Sequence, residues 1–312
     1  MGNDQSKPSI KKPTTFKEQV ELYRKRKLQV EDSELAESFL KRVNYYRLSA
    51  YRLTLKDSNP DNKENYKVGS TFEQLTSIYT FDKKMRHILI DVLESIEIAF
   101  RTHIAYLIAH KYEPLGYKDS SNFKVKKFHN DFLEELDKVI NRSKKSEIFI
   151  GHYQKNYNGQ FPIWVATEIM SFGMLSKLYK NLKVEDKTAI AKEYYGLPYI
   201  YIESWLATLT YVRNVCAHYG RLYNKTIVFE PKLFKAESKL IDKSKLFAAI
   251  YVTIRLLPEA DARRLVVNLE ALIEEYKDCI EFKYIGFPNN WNTTLSTVID
   301  QRHHIKKKST SH

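Results

Sequence analysis

Between Tyr211 and Asn224 the chain reads YVRNVCAHYGRLYN, which gathers Arg213, Asn214, His218 and Arg221 into a stretch otherwise apolar enough to be core. An imidazole gives and takes protons near neutral pH, as general acid–base catalysis requires. A guanidinium offers a fork of donors suited to a phosphate whose charge grows in the transition state. Together they suffice to cleave RNA through its own 2′-hydroxyl, the His handling protons and the Arg stabilising the phosphorane, without a metal. The same residues can form a buried hydrogen-bond network, or hold phosphate without cutting it. Arg-x4-His by itself does not choose among the three.

A helix has to position these residues. Pro198 suits a first helical turn and Gly220 suits the left-handed residue after a C-terminus, so the spacing predicts a helix over 198–219. Within it Trp205, Leu209, Val212, Cys216 and Tyr219 fall at i, i+4, i+7, i+11 and i+14, a core-facing stripe. Asn214, His218 and Arg221 form a second stripe, on which Asn214 is expected to orient the His ring. Arg213, five positions before His218, points about 140° away from it. The two would meet by sharing a ligand, or across an interface with a second copy.

The whole chain reads as all-α. Nine Gly and nine Pro in 312 residues are few turn-makers, and no repeat or low-complexity block interrupts the pattern. Five segments are expected: a basic flexible tail (1–15), an N-terminal helical segment (16–69), a helical core (70–235), C-terminal helices (236–301) and a basic tail (302–312). Helices are expected from Phe16, from Ser33, and from a Ser70/Glu73 capping box towards Pro114 along Leu75, Ile78, Met85, Leu89, Val92, Ile96, Ala99, His103 and Tyr106. Further helices are expected over 128–149, over 163–182 with a break near Gly173, over 185–195 ending at Gly196, and over 243–257 and 259–277. GHYQKNYNGQFPIW reads as an aromatic loop, and 226–230 as a short extended piece.

Net charge is +13, of which the two tails carry +2 and +4, leaving +7 on the body. Such an excess favours a polyanionic partner, most simply nucleic acid. The runs at 24–27, 124–127 and 142–145 read singly as solvated faces; together, with interleaved tyrosines, they offer a track for a phosphate backbone. Two cysteines make no disulfide framework, the polar N-terminal stretch is unlike a secretory leader, and no apolar run reaches the ~18 residues of a membrane span. A cytoplasmic protein without a membrane partner is the expectation. The nine histidines show no ligand spacing, so no metal and no cofactor are expected. Glu97 and Arg101 form an i, i+4 pair with His103 nearby, read as a bundle salt bridge or as support for a site. Glu168 reads as a buried partner for Arg213 or as a solvated residue.

RNVCAH followed by YGRLYN resembles the signature of HEPN-domain nucleases and, more narrowly, the bacterial Abi family of phage abortive-infection proteins (AbiD/AbiF-like). KRVNYYRLSAY (41–51), VGSTFEQLTSIYTFDKKMR (68–86), IEIAFRTHIAY (96–106), ATEIMSFGMLSKLY (166–179) and GFPNNW (286–291) resemble further blocks of that family, in order along nearly the whole chain. The resemblance implies a HEPN-like helical bundle and an endoribonuclease toxin leaving a 2′,3′-cyclic phosphate. Arg213 and His218 match the catalytic pair, and Asn214 the polar position between them. Arg221, Tyr223, Asn224, Arg101 and Glu168 are the further candidates for RNA contact. Because the chain holds one such motif, the resemblance implies a homodimer with a composite site. It also makes a small structured RNA antitoxin a plausible partner. The alternative is a non-catalytic RNA-binding protein using the same cluster to hold phosphate.

Overall fold

In the computed structural model, which describes residue 10 and residues 12–309, the side chains of Pro60 and 302–309 excepted, all regular structure is helical. The all-α expectation holds. Among the described residues the only β pairing is three isolated bridges, and no helix is long and apolar enough to cross a membrane. The chain forms two compact units. One runs up to Phe81 and includes Asp278–Ile280; the other comprises Asp82–Lys277 and residues from Glu281 onward.

The first unit holds α1 (Phe16–Lys25), α2 (Ser33–Leu40), α3 (Tyr45–Ser49) and the first turns of α4 (Phe72–Tyr112). Thr15 and Glu18 close a capping box at the start of α1. The single helix expected from Ser33 is broken, because the Asn44 side chain accepts from Tyr46 N–H and starts a new helix there. At α4 the cap is Thr71, whose hydroxyl accepts from Gln74 N–H at 3.0 Å, in place of the expected Ser70 box. Ser70 is buried and its carbonyl accepts from Gln29 N–H. Tyr23, with its ring against Tyr45, Tyr66 and Phe72, and Phe39, against Phe72 and Tyr79, centre the aromatic core of this unit. Residues 1–9 and 11, most of the expected N-terminal tail, lie outside the described residues.

The second unit carries the rest of α4 with α5 (Lys126–Ser143), α6 (Ile148–Asn156), α7 (Ile163–Ala166), α8 (Phe172–Asn181), α9 (Val184–Ile190), α10 (Tyr199–Ala217), α11 (Leu246–Leu256), α12 (Glu259–Tyr276), α13 (Phe282–Ile285) and α14 (Trp291–Ser309). Every residue of α11 except Arg255 is buried, so this helix is the axis of the unit, packed by α10, α12 and α14. α8 and α9 cover the other side of α10. The aromatic stretch expected as a loop holds the latter part of α6 and the start of α7. The break expected near Gly173 falls at Met170–Ser171, because the Ser171 hydroxyl accepts from Met174 N–H and caps α8. The residues 226–230 form no strand. α14 continues through Ser309, beyond the point where a basic tail was expected at Arg302.

The buried face of α4 drifts along its length. It begins on Leu75, Ile78, Met85 and Leu89, then passes to Leu93, Phe100, Ile104 and Ile108, leaving Tyr106 exposed. Glu97 sits on that second face, four residues after Leu93 and three before Phe100, and is only 5% exposed. A carboxylate at such a position must be paired.

Candidate functional site

α10 ends at Ala217, with His218 as its C-cap residue. Tyr219 then takes the left-handed conformation (φ 56°), although glycine was expected to supply it one residue later. Tyr219 N–H donates to Cys216 O at 3.1 Å and Gly220 N–H to Val215 O at 2.7 Å, the paired bonds of a Schellman ending. Gly220 is needed for room: a Cβ there would lie 3.0 Å from Val215 Cγ1 and 3.1 Å from Val215 O. Trp205, Leu209, Val212 and Cys216 are buried as the stripe requires, but Tyr219 leaves it, because the helix stops before it and the left-handed turn carries the ring outward. Burial pushes the Cys216 thiol up to about 12, so this cysteine is core and no nucleophile.

His218 and Asn214 are both exposed. They meet through the backbone, His218 N–H donating to Asn214 O at 3.0 Å; no side-chain hydrogen bond joins them, which corrects the expectation that Asn214 orients the ring. Departure from helical geometry at the C-cap separates what ideal i, i+4 spacing would bring together.

Arg213 is held from α4. Its Nε lies 3.3 Å from Glu97 Oε2, while Glu97 Oε1 accepts from Arg101 Nη2 at 2.7 Å. Arg101 also donates to the carbonyls of Glu168 and Met170, both at 2.9 Å, fixing the turn between α7 and α8. Its fork is committed to the protein, so Arg101 is an anchor and not an RNA contact. Glu168, expected as a buried partner for Arg213, is exposed and its carboxylate is 3.8 Å from Arg101. Glu97 takes that role, since the helical drift of α4 turns it inward. Arg213 keeps a third of its side-chain surface in solvent, enough to reach a ligand while one edge stays on Glu97.

The loop after His218 is pinned by a second acid–arginine pair. Asp82 is fully buried and accepts from Leu222 N–H at 3.0 Å and Tyr223 N–H at 2.6 Å. Arg86, one turn on, bonds Asp82 and also donates to Gly220 O at 3.2 Å. Arg221 turns back to the carbonyls of Tyr223 and Asn224, the latter at 2.9 Å and in the left-handed region (φ 52°). Tyr223 is 1% exposed and its hydroxyl accepts from Glu281 N–H at 2.9 Å. Tyr223 is therefore not at the surface and Arg221 closes the loop, so neither is placed to contact RNA; half-buried Asn224 forms the turn. Asp82 and Arg86 were visible in the sequence as an acid and an arginine four apart within an apolar stripe, the same signal as Glu97 and Arg101.

His103, two residues after Arg101, stacks on Tyr194 with ring centroids 3.6 Å apart, and its Nδ1 is 3.3 Å from the Tyr195 hydroxyl. Both tyrosines belong to a π-helical turn, Ala191–Tyr195, that follows α9. Burial lowers the His103 pKa to about 4.

A solvent-facing His at a helix end, an Arg steadied by a buried Glu and a loop clamped by a buried Asp thus define an all-α protein with one anchored Arg-x4-His helix terminus. The model of the family described as Abi-like protein matches residues 38–224, more than half of the chain, and the chain belongs to that family. The match ends on the last residue of the clamped loop. It includes the blocks at 41–51, 68–86, 96–106 and 166–179 but not GFPNNW, so the likeness is shorter than expected. In GFPNNW the left-handed Gly286 has a packing role instead, because a Cβ there would lie 2.3 Å from Lys245 Cβ. No curated protein and no solved structure matches the chain.

Proposed function

We propose that this chain is a metal-independent endoribonuclease of the HEPN type, acting as the toxin of an abortive-infection system against phage. The observation that carries the reading is the unequal treatment of the two motif residues. Arg213 is held by buried Glu97 with part of its fork in solvent, while His218 stands exposed at the C-cap of the same helix. A phosphate-stabilising cation gains from a fixed position, and an acid–base group needs access to the 2′-hydroxyl and the leaving oxygen. His218 takes the proton from the 2′-hydroxyl or gives one to the 5′-oxygen, and Arg213 stabilises the phosphorane. The product is a 2′,3′-cyclic phosphate. Their angular separation on α10 favours a site built from Arg213 of one protomer and His218 of a second copy. A small structured RNA covering that site would restrain the toxin.

Purified protein is expected to cut RNA in excess EDTA, and Arg213→Ala or His218→Ala to abolish cutting. Mixing the two inactive variants and allowing exchange should restore about a quarter of wild-type activity: half of the dimers are mixed, and each of those holds one intact composite site. No recovery in mixtures shown to exchange would sink the composite site. Undiminished cutting by His218→Ala would sink the nuclease assignment, and binding without scission by wild type would leave an RNA-binding protein.

A further inference from the structure

We propose that the lysine-lined groove beside the first half of α10 is a subsite for single-stranded RNA, whose strand continues along α10 to Asn214 and His218. The proposal rests on the reading of that helix end as an RNA-cleaving site. The groove is a cavity of about 470 Å³ walled by the start of α5, the end of α8 and the first turns of α10. Five lysines and one acid, Glu203, line it. The acid is neutralised within the wall, since Lys187, 2% exposed, lies 2.6 Å from its carboxylate. Lys177 reaches Glu135 at 3.1 Å. The exposed Lys124, Lys180 and Lys232 have no carboxylate partner among the described residues, which leaves three uncompensated positive charges on one concavity.

A second cavity, of about 290 Å³, adjoins it and shares Phe128, Lys177, Lys180 and Asn181. Phe132, Met174 and Leu178 make it predominantly apolar, with Asp131 and the Lys177 partner Glu135 also in its wall. Phe128, 54% exposed, stands in both walls. Cations beside an apolar recess with an accessible aromatic ring match the two faces of a nucleotide, its phosphate and its base.

The groove leads towards the motif. Ser204, Ala207, Tyr211 and Asn214 fall at i, i+3, i+7 and i+10 and share one face of α10, and His218 follows as its exposed C-cap residue. The segment after the clamped loop runs back along this helix. Phe229 O accepts from the Thr208 hydroxyl at 2.7 Å, and Lys232 N–H donates to the Ser204 hydroxyl at 2.8 Å. That path sets Lys225 6.0 Å from the Tyr211 ring, midway between groove and His218. From Ser204 to His218 the helix rises about 21 Å, a span for several nucleotides. The cationic and aromatic positions thus extend beyond what one free nucleotide would touch, which favours a strand.

The test uses the full-length chain carrying His218→Ala, so that RNA is bound and not consumed, with a single-stranded oligonucleotide of roughly a dozen residues followed by fluorescence anisotropy across salt concentrations. Adding Lys180→Ala and Lys232→Ala should weaken binding about tenfold and lower the slope of log affinity against log salt by about 1.4. Phe128→Ala should weaken binding with the slope unchanged. Lys155→Ala with Lys239→Ala, exposed lysines that line neither cavity, should leave both quantities unchanged. Melting curves of each variant verify the fold. If the Lys180/Lys232 variant binds with unaltered affinity and slope, the subsite is overturned. If a mononucleotide alone displaces the strand, the groove is a free-nucleotide site and the strand proposal is overturned. If the His218→Ala protein binds no RNA of either length or strandedness, the nuclease reading falls together with the subsite.

Discussion

α4 carries two acid–arginine pairs at i, i+4, and both reach the same motif, yet they do different things. Asp82 with Arg86 grips backbone of the loop after His218: the buried N–H groups of Leu222 and Tyr223 and the half-buried carbonyl of Gly220. Glu97 with Arg101 grips a side chain, that of Arg213, which stays one-third exposed. The first pair sets the path of the chain. The second sets the direction of a guanidinium that stays partly in solvent. A buried acid whose partners are all internal fixes the path of the chain; one that shares its charge with a solvent-facing arginine fixes a side chain that solvent can reach.

Breaking the first pair should cost the most. Asp82→Ala leaves Arg86 buried without its carboxylate and two loop N–H groups without an acceptor, so a loss of about 3–5 kcal/mol is expected by chemical denaturation. Cleavage should fall in parallel with the folded fraction. Breaking the second pair should separate stability from activity. Glu97→Gln keeps the shape and one acceptor, so a loss of about 1–3 kcal/mol is expected, while cleavage drops far more than the folded fraction does. Equal losses of folding and cleavage in Glu97→Gln would erase the distinction drawn between the pairs. His218→Ala, at an exposed C-cap, should change stability by no more than about 0.5 kcal/mol while abolishing cleavage.

The smallest effect concerns pH. Burial depresses the His103 pKa to about 4, so below the ordinary histidine range the unfolded chain takes up a proton that the folded chain refuses. Its contribution is therefore flat above about pH 6.5 and destabilising as pH falls towards 4. His103→Gln, beside the same Tyr194 ring, should flatten that part of the Tm-against-pH curve. A curve unchanged in slope would mean that other groups dominate acid unfolding.

Much of the site could be read from the residues. Trp205, Leu209, Val212 and Cys216 are core because their spacing says so, and the helical run after Val184 ends at Gly196 as expected. Where the structure departs from the spacing, the cause is a distant contact. Ser70 lost the cap to Thr71 because its carbonyl was taken by Gln29, and Tyr223 turned inward because Asp82 holds its N–H. Each depended on a partner far away in the chain, which periodicity does not reveal. The two acids on α4 were legible as anomalies, charged residues within an apolar stripe, although nothing local said which residues they would hold.

The sequence alone determined the helical class, the apolar face of α10 and the types of residue at its end, since 3.6-residue periodicity and side-chain chemistry are local properties. Tertiary structure decided which of those residues are free to act. Arg213 and Arg221 look alike in YVRNVCAHYGRLYN, yet one is steadied by Glu97 and left partly in solvent, and the other is spent on the carbonyls of its own loop. Glu97 and Asp82, each more than a hundred residues from the group it holds, settle the position of Arg213 and the path of the Arg221 loop, and so separate a side chain left partly in solvent from one that shapes the chain.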